Sequence, residues 1–157
     1  MEAFLVSIGV VAISEIGDKT QLLALLLAAR FKRPAPIVLG ILAATIVNHA
    51  VAGAVGAWIG AAIAPDVLRW ILGGLFIAMG VWALIPDKLD DAKVDDAASA
   101  AGIFWVTTLT FFLAEMGDKT QIATAALAAR FQNVVLVVMG TTIGMLLADV
   151  PAVFIGN

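Results

Sequence analysis

Glu15-Ile16-Gly17-Asp18-Lys19-Thr20 returns 100 residues later as Glu115-Met116-Gly117-Asp118-Lys119-Thr120. The match continues through Gln21 and Gln121 to Arg30-Phe31 and Arg130-Phe131, with 11 identities over 17 aligned positions. Gly40 and Gly140 keep the same offset without a gap. An internal repeat of this kind reports a duplicated architecture. Its setting says more, because each copy places three charges inside an apolar run. At mid-bilayer each charge costs about 2.5–3.5 kcal/mol, so the six together represent roughly 15–20 kcal/mol of gross penalty. No structural need explains that penalty, whereas a site that handles ions does.

Composition sets the class. The 157 residues are 62% hydrophobic and 13% charged, about half the charged share of a soluble domain. The mean hydropathy is +1.07. These values describe an all-α integral membrane protein. Cysteine is absent, which excludes a disulfide framework, a thiolate metal site and a cysteine nucleophile. A net charge of −3 offers nothing to nucleic acid. The N-terminus has no basic region ahead of its apolar run, so no cleavable signal is expected.

Apolar stretches long enough to span a bilayer cover residues 3–29, 36–63, 67–85, 102–129 and 134–156. Short breaks carry charge or helix breakers: Arg30-Phe31-Lys32-Arg33-Pro34, Ala64-Pro65-Asp66 and Phe131-Gln132-Asn133. The expected organisation is a first repeat over 1–85, an acidic linker over 86–101 and a second repeat over 102–157. The linker, with Asp87, Lys88, Asp90, Asp91, Lys93, Asp95 and Asp96, reads as solvated surface. The first half holds three helices and the second only two, so a sixth helix is expected in the complete protein.

Apart from the motif lysines, loops on one side carry Arg30, Lys32, Arg33, Lys88 and Lys93, and those on the other carry Arg69 and Arg130. That bias makes the first side, with the linker, cytoplasmic and puts the N-terminus outside. With an odd number of helices per repeat, the two motifs enter the membrane from opposite sides, as in inverted-repeat transporters with a midplane site. Trp70, Trp82 and Trp105 near helix ends read as interfacial anchors. Gly56-xxx-Gly60 and Gly140-xxx-Gly144 read as close helix-packing positions.

Within the motif, Glu15 and Asp18 share a face if the helix is continuous. Glu15 lies 15 residues before Arg30, about 22 Å along a helix, and so falls deep in the membrane. Gly17 permits a break, after which Asp18 suits an N-cap with Gln21 at N3. A broken helix at midplane exposes backbone groups that an ion or a facing helix can satisfy. Lys19 and Lys119 read as helix-terminal, snorkelling or pairing residues rather than substrate contacts.

Glu15, Asp18, Glu115 and Asp118, flanked by Thr20, Thr120, Gln21 and Gln121, make a hard, oxygen-only ligand set. That set suits Ca²⁺ or Mn²⁺ and disfavours Zn²⁺ or copper. Asn48 and His49 are possible pathway residues; the histidine could line the path or relay protons, or simply pack. Its repeat-related position, Asp149, is an acid in an apolar run and the stronger pathway candidate. Four clustered carboxylates without a cation cannot all stay ionised in a low dielectric, so metal entry should expel protons.

The twin E-x-G-D-[KR]-[ST] motifs, each followed by glutamine, resemble those of a small cation/proton exchanger family. That family includes bacterial manganese exporters of the MneA type and Golgi and chloroplast calcium/manganese exchangers. The resemblance covers the whole chain. It implies two inverted triplets of helices and export of excess Mn²⁺ or Ca²⁺ from the cytoplasm across the cell (inner) membrane in exchange for protons. It carries function to Glu15, Asp18, Glu115 and Asp118, with Thr20, Gln21, Thr120 and Gln121 beside them. No cofactor is expected beyond the transported ion. The expected partners are the bilayer, the divalent cation and protons; a homo-oligomer is compatible with the sequence.

Two rival classes are weaker. A cation channel would use similar acidic groups, but a charged cluster deep among small, tightly packed residues suits occlusion better than a continuous pore. An intramembrane enzyme acting on a lipid would need a nucleophile, a base and phosphate binders. The only serines are Ser7, Ser14 and Ser99, and neither motif contains an arginine.

Overall fold

The computed structural model describes residues 1–85 and 99–157, all of whose regular structure is helical. Among the described residues seven helices follow in order: α1 (Glu2–Glu15), α2 (Lys19–Phe31), α3 (Pro34–Ala62), α4 (Pro65–Ala83), α5 (Ala100–Glu115), α6 (Lys119–Phe131) and α7 (Val134–Gly156). Five apolar stretches give seven helices because both motif-bearing stretches break at the motif. The acidic residues 87–96 of the expected linker lie outside the described residues.

Local chemistry accounts for the ends. Pro34 and Pro65 open α3 and α4, where a missing N–H costs nothing. Asn133 and Ser99 cap α7 and α5, accepting from the N–H groups of Leu136 and Gly102. Arg30 and Arg130, at equivalent places, lie 5.8 and 5.0 Å from the centroids of the Phe31 and Phe131 rings.

α3, α4 and α7 are each long and apolar enough to cross a membrane, and α5 with α6 passes as one span bent by 71°. Their outer surfaces are apolar, with Val51, Trp58, Trp70, Trp105, Leu109 and Leu147 exposed. A soluble protein could not present such a belt, whereas lipid solvates it. Trp70 and Trp105 fit the interfacial role, while Trp82 is half-buried.

The two halves interlock. α1 packs chiefly on α7 and α5 on α3, while α3 also runs along α6, α7 runs along α2, and α3 meets α7. Glycines mark the close approaches. Gly40 lies where a Cβ would come within 2.7 Å of Thr107 Cβ, and its partner Gly140 lies equally close to Ser7 Cβ. Gly56 sits against the Ala125 backbone, and Gly156 against that of Leu25. Every one of these contacts joins a helix of one half to a helix of the other, and each has its counterpart 100 positions on.

Arg130 reaches Glu2 at 3.9 Å and lines a cavity with Arg69. The start of α1, the start of α4 and the end of α6 therefore share one end of the bundle. The α1–α2 and α5–α6 pairs consequently run in opposite directions. α4 stands outside this interlocked core, leaning on α6 with only Leu72 and Met79 buried along its length.

Candidate metal centre

Breaking the helix is what brings the acids inward. α1 is 14 residues long, about 21 Å, so Glu15 ends it well inside a hydrocarbon core of about 30 Å. Ile16 turns extended, Gly17 takes φ +79° and Asp18 caps α2. In the second half Met116 is extended, Gly117 takes φ +76° and Asp118 caps α6. That left-handed backbone is open to glycine at little cost, which explains glycine at the third motif position. Both expected caps are present: Asp18 Oδ2 accepts from Thr20 N–H at 3.3 Å and Asp118 Oδ1 from Lys119 N–H at 2.6 Å.

Glu15, Asp18 and Glu115 each offer a carboxylate oxygen within 4.8 Å of the other two. All three are fully buried. Oxygens bound to one Ca²⁺-sized ion at about 2.3–2.6 Å can lie up to about 5 Å apart, so this spacing suits a single ion. Thr120 Oγ1 donates to Glu115 Oε2 at 2.6 Å. Thr20 Oγ1 lies 2.7 Å from Glu15 Oε2 and 2.9 Å from Asp18 Oδ2. One hydroxyl hydrogen serves only one of those carboxylates, so the other contact is a hydrogen bond only when that carboxyl carries a proton. Glu15 Oε1 and Glu115 Oε1 have no hydrogen-bond partner among the described residues. An acceptor left orphaned in each half, at matching positions, is what an oxygen site for a cation or proton requires.

The lysines cross over. Lys19 Nζ lies 3.2 Å from Asp118 Oδ2, and Lys119 Nζ pairs with Asp18 Oδ1. Each half thus supplies the counter-ion for the other's capping aspartate, which joins the motifs across the bundle. The crossing is unequal in burial: the Lys119 side chain is 4% exposed and that of Lys19 is 31%. Asp118, held by Lys19 and by its cap, is not in the three-carboxylate group.

The flanking residues divide. Thr20 and Thr120 touch the acids. Gln21 and Gln121 instead turn their Oε1 atoms to the Gly17 and Gly117 N–H groups, at 3.0 and 2.7 Å, and so close the broken segments. Gln21 Nε2 also donates to the Ala148 carbonyl at 3.1 Å, tying α2 to α7. Asn48 donates to the Phe112 carbonyl at 3.2 Å, a strut between α3 and α5. His49 is fully buried with no hydrogen-bond partner for either nitrogen among the described residues. Asp149 is fully buried, lacks partners for both oxygens among those residues, and lies within electrostatic reach of Glu15, Asp18 and Glu115.

Sequence reading allowed for pairing lysines but missed their partners across the bundle, and it missed one pair of hydroxyls. Ser7 and Thr107, offset by 100, are buried with no hydrogen-bond partner among the described residues. They share buried i,i+4 stripes with the glutamates: Ala3-Ser7-Val11-Glu15 and Ile103-Thr107-Phe111-Glu115. The repeat offset combined with that spacing was the available signal.

Among the described residues the cluster therefore holds five carboxyls (Glu15, Asp18, Glu115, Asp118 and Asp149) and two ammonium groups. Full ionisation would leave three negative charges uncompensated in a low-dielectric interior, which is strongly unfavourable. Bound cations or protons must answer them, and both can use the same oxygens.

The sequence matches the family described as "Divalent cation/proton antiporter GDT1" over residues 3–91 and 103–157. It is 48% identical to a Vibrio cholerae protein named "Putative manganese exporter", covering all of this chain and 78% of that one. It is 28% identical to "GDT1-like protein 5" of Arabidopsis thaliana, covering all of this chain and 84% of that protein. With "GDT1-like protein 4" of Oryza sativa subsp. indica it shares 30% identity over 91% of this chain and 59% of the other. No solved structure matches the chain. A family match running through both repeats, on a fold whose two motifs converge on one acidic cluster, makes this chain a member of the GDT1 divalent cation/proton antiporters, a family of transporters and not of enzymes.

Proposed function

We propose that the chain exports Mn²⁺ from the cytoplasm across the cell membrane in exchange for protons, with Ca²⁺ as the alternative cargo. The observation that carries this reading is the buried group of Glu15, Asp18 and Glu115, drawn from both repeats, with oxygens within 4.8 Å of one another. An oxygen-only site of this kind is chemically suited to Mn²⁺ or Ca²⁺. The name of the Vibrio cholerae relative favours manganese.

In this reading Glu15, Asp18 and Glu115 bind the ion and Asp118 joins them during exchange. Thr20 and Thr120 orient the glutamates, while Gln21 and Gln121 hold the breaks that aim them. Asp149 and His49 lie along the route, with Asn48 fixing the helix that carries His49. The side bearing Arg30, Lys32 and Arg33 faces the cytoplasm, and the N-terminus is outside.

Charge balance gives the coupling a number. Three uncompensated carboxylates are neutralised either by three protons or by one divalent ion and one proton, so each ion should displace about two protons. The test is metal binding to the purified chain in weakly buffered detergent solution, with released protons titrated directly. About two protons per bound Mn²⁺ are expected, and weaker binding as pH falls, because protons and metal compete for the same oxygens. Binding without proton release would refute the exchange.

A further inference from the structure

The crossed lysines suggest a role beyond charge balance, and they are not equivalent. Lys19 sits on Asp118, which is outside the three-carboxylate group, and its side chain is 31% exposed. Lys119 sits on Asp18, a member of that group, and its side chain is 4% exposed. A divalent ion bound to Glu15, Asp18 and Glu115 would therefore meet the Lys119 ammonium at one of its own ligands. Two cations cannot share one buried carboxylate at close range without a repulsion that low dielectric magnifies.

We propose that Lys119 is a tethered competitor of the transported cation: its ammonium holds Asp18 until a divalent ion takes that carboxylate, and it then retreats into the cavity between α1 and α4.

The cavity is the second observation. It measures about 260 Å³ and is lined by Ile13 and Ser14 of α1, by Phe76, Met79 and Gly80 of α4, and by Lys119 itself. Its lining is apolar except for Ser14 and the lysine itself, which suits the aliphatic stem of a displaced lysine and leaves Ser14 Oγ as the acceptor for its ammonium. Ser14 Oγ donates to the Val11 carbonyl at 3.0 Å, which leaves its lone pairs free to accept from an ammonium. The lysine thus has somewhere to go without leaving the protein. Its tether makes return fast, and the returning ammonium helps to expel the ion by taking back Asp18. In this scheme Lys119 is a positioning residue that sets how readily metal enters and how readily it leaves.

The inference rests on the carboxylate group being the cation site. The experiment measures Mn²⁺ binding by calorimetry on the purified full chain, and Mn²⁺ transport by the same variants in proteoliposomes. Lys119→Met should bind Mn²⁺ more tightly, by roughly tenfold, the order expected on removing one competing unit charge from a partly screened site. Its transport should show a lower KM and a lower kcat, since release is slowed. Lys119→Arg should restore wild-type behaviour. A purely structural lysine would instead give weaker binding and a general loss of activity.

Gly80→Leu fills the cavity from α4, where an added Cβ meets nothing within 4 Å. It should weaken Mn²⁺ binding several-fold in the wild-type background and change nothing in Lys119→Met, a coupling that a double-mutant cycle reads directly. Should Lys119→Met fail to fold, Gly80→Leu alone decides, since unchanged binding in that variant overturns the proposal. Lys119→Met binding no tighter than wild type, or Gly80→Leu acting equally in both backgrounds, also overturns it. Glu115→Gln in the same assay separates the two readings. If it binds Mn²⁺ as wild type does, the site itself is misassigned; if it loses binding while Lys119→Met is unchanged, only the role of the lysine fails.

Discussion

Glu15→Gln and Glu115→Gln should each lower divalent-cation transport by about a hundredfold or more, because losing even an outer-shell partner of a metal site costs about 10–100-fold. The substitution keeps size and polarity but removes a charged oxygen and a titratable group. Each glutamate has one oxygen held by a threonine and one with no hydrogen-bond partner among the described residues. The glutamine variants should therefore fold as well as wild type or better, since an uncompensated buried charge has been deleted. Flux assays in vesicles, paired with thermal unfolding in detergent, separate the two effects. Wild-type transport by either variant would remove that glutamate from the site. Asp118→Asn should also impair exchange, and because its partners are Lys19 and its own cap, some stability should go with it.

The largest effect on folding is expected where the halves touch. A Cβ at Gly56 would overlap the Ala125 carbonyl, a backbone atom of α6 that cannot turn aside. Gly56→Ala should destabilise by about 3 kcal/mol or more, at the upper end of overpacking costs. Gly156→Ala, whose Cβ would lie 2.6 Å from the Leu25 carbonyl, should behave in the same way. Gly74→Ala on α4 meets nothing within 4 Å and should be neutral or slightly stabilising, as alanine suits a helix better than glycine. Thermal midpoints and monodispersity of the three variants test the ranking. Equal behaviour of Gly56→Ala and Gly74→Ala would mean that the α3–α6 approach is not the joint described.

Much of this was legible in the sequence because the repeat supplied a built-in comparison. The offset of 100 paired Glu15 with Glu115, and the Gly-Asp step forecast a helix break with an aspartate cap. Glycine at positive φ and the caps on α2 and α6 bear that out. Partners across the bundle were not legible. Periodicity tells which face of a helix is buried, not which helix covers it. Lys19 therefore read as a helix-terminal, snorkelling or pairing group with no partner named, and it pairs with Asp118 of the other half. Gln21 read both as the N3 residue behind the cap and, with Gln121, as a ligand-set oxygen; their Oε1 atoms accept from the backbone N–H groups that the break exposes, close to the first of these readings. Asn48 beside His49 read as pathway, yet its amide braces α3 against α5. Asn48 is claimed by a backbone carbonyl of another helix and Lys19 by a carboxylate of the other half, and sequence spacing carries no record of either partner.

One buried acidic cluster, built from both motifs, is proposed to bind a divalent cation and protons in turn. Its most direct test uses the purified chain in vesicles of known orientation, with inside and outside pH set independently and membrane voltage clamped. Mn²⁺ should accumulate against its own gradient when only a proton gradient is imposed, and the direction should reverse when the pH gradient is reversed. Mn²⁺ flux that ignores the pH gradient under that clamp would contradict the account.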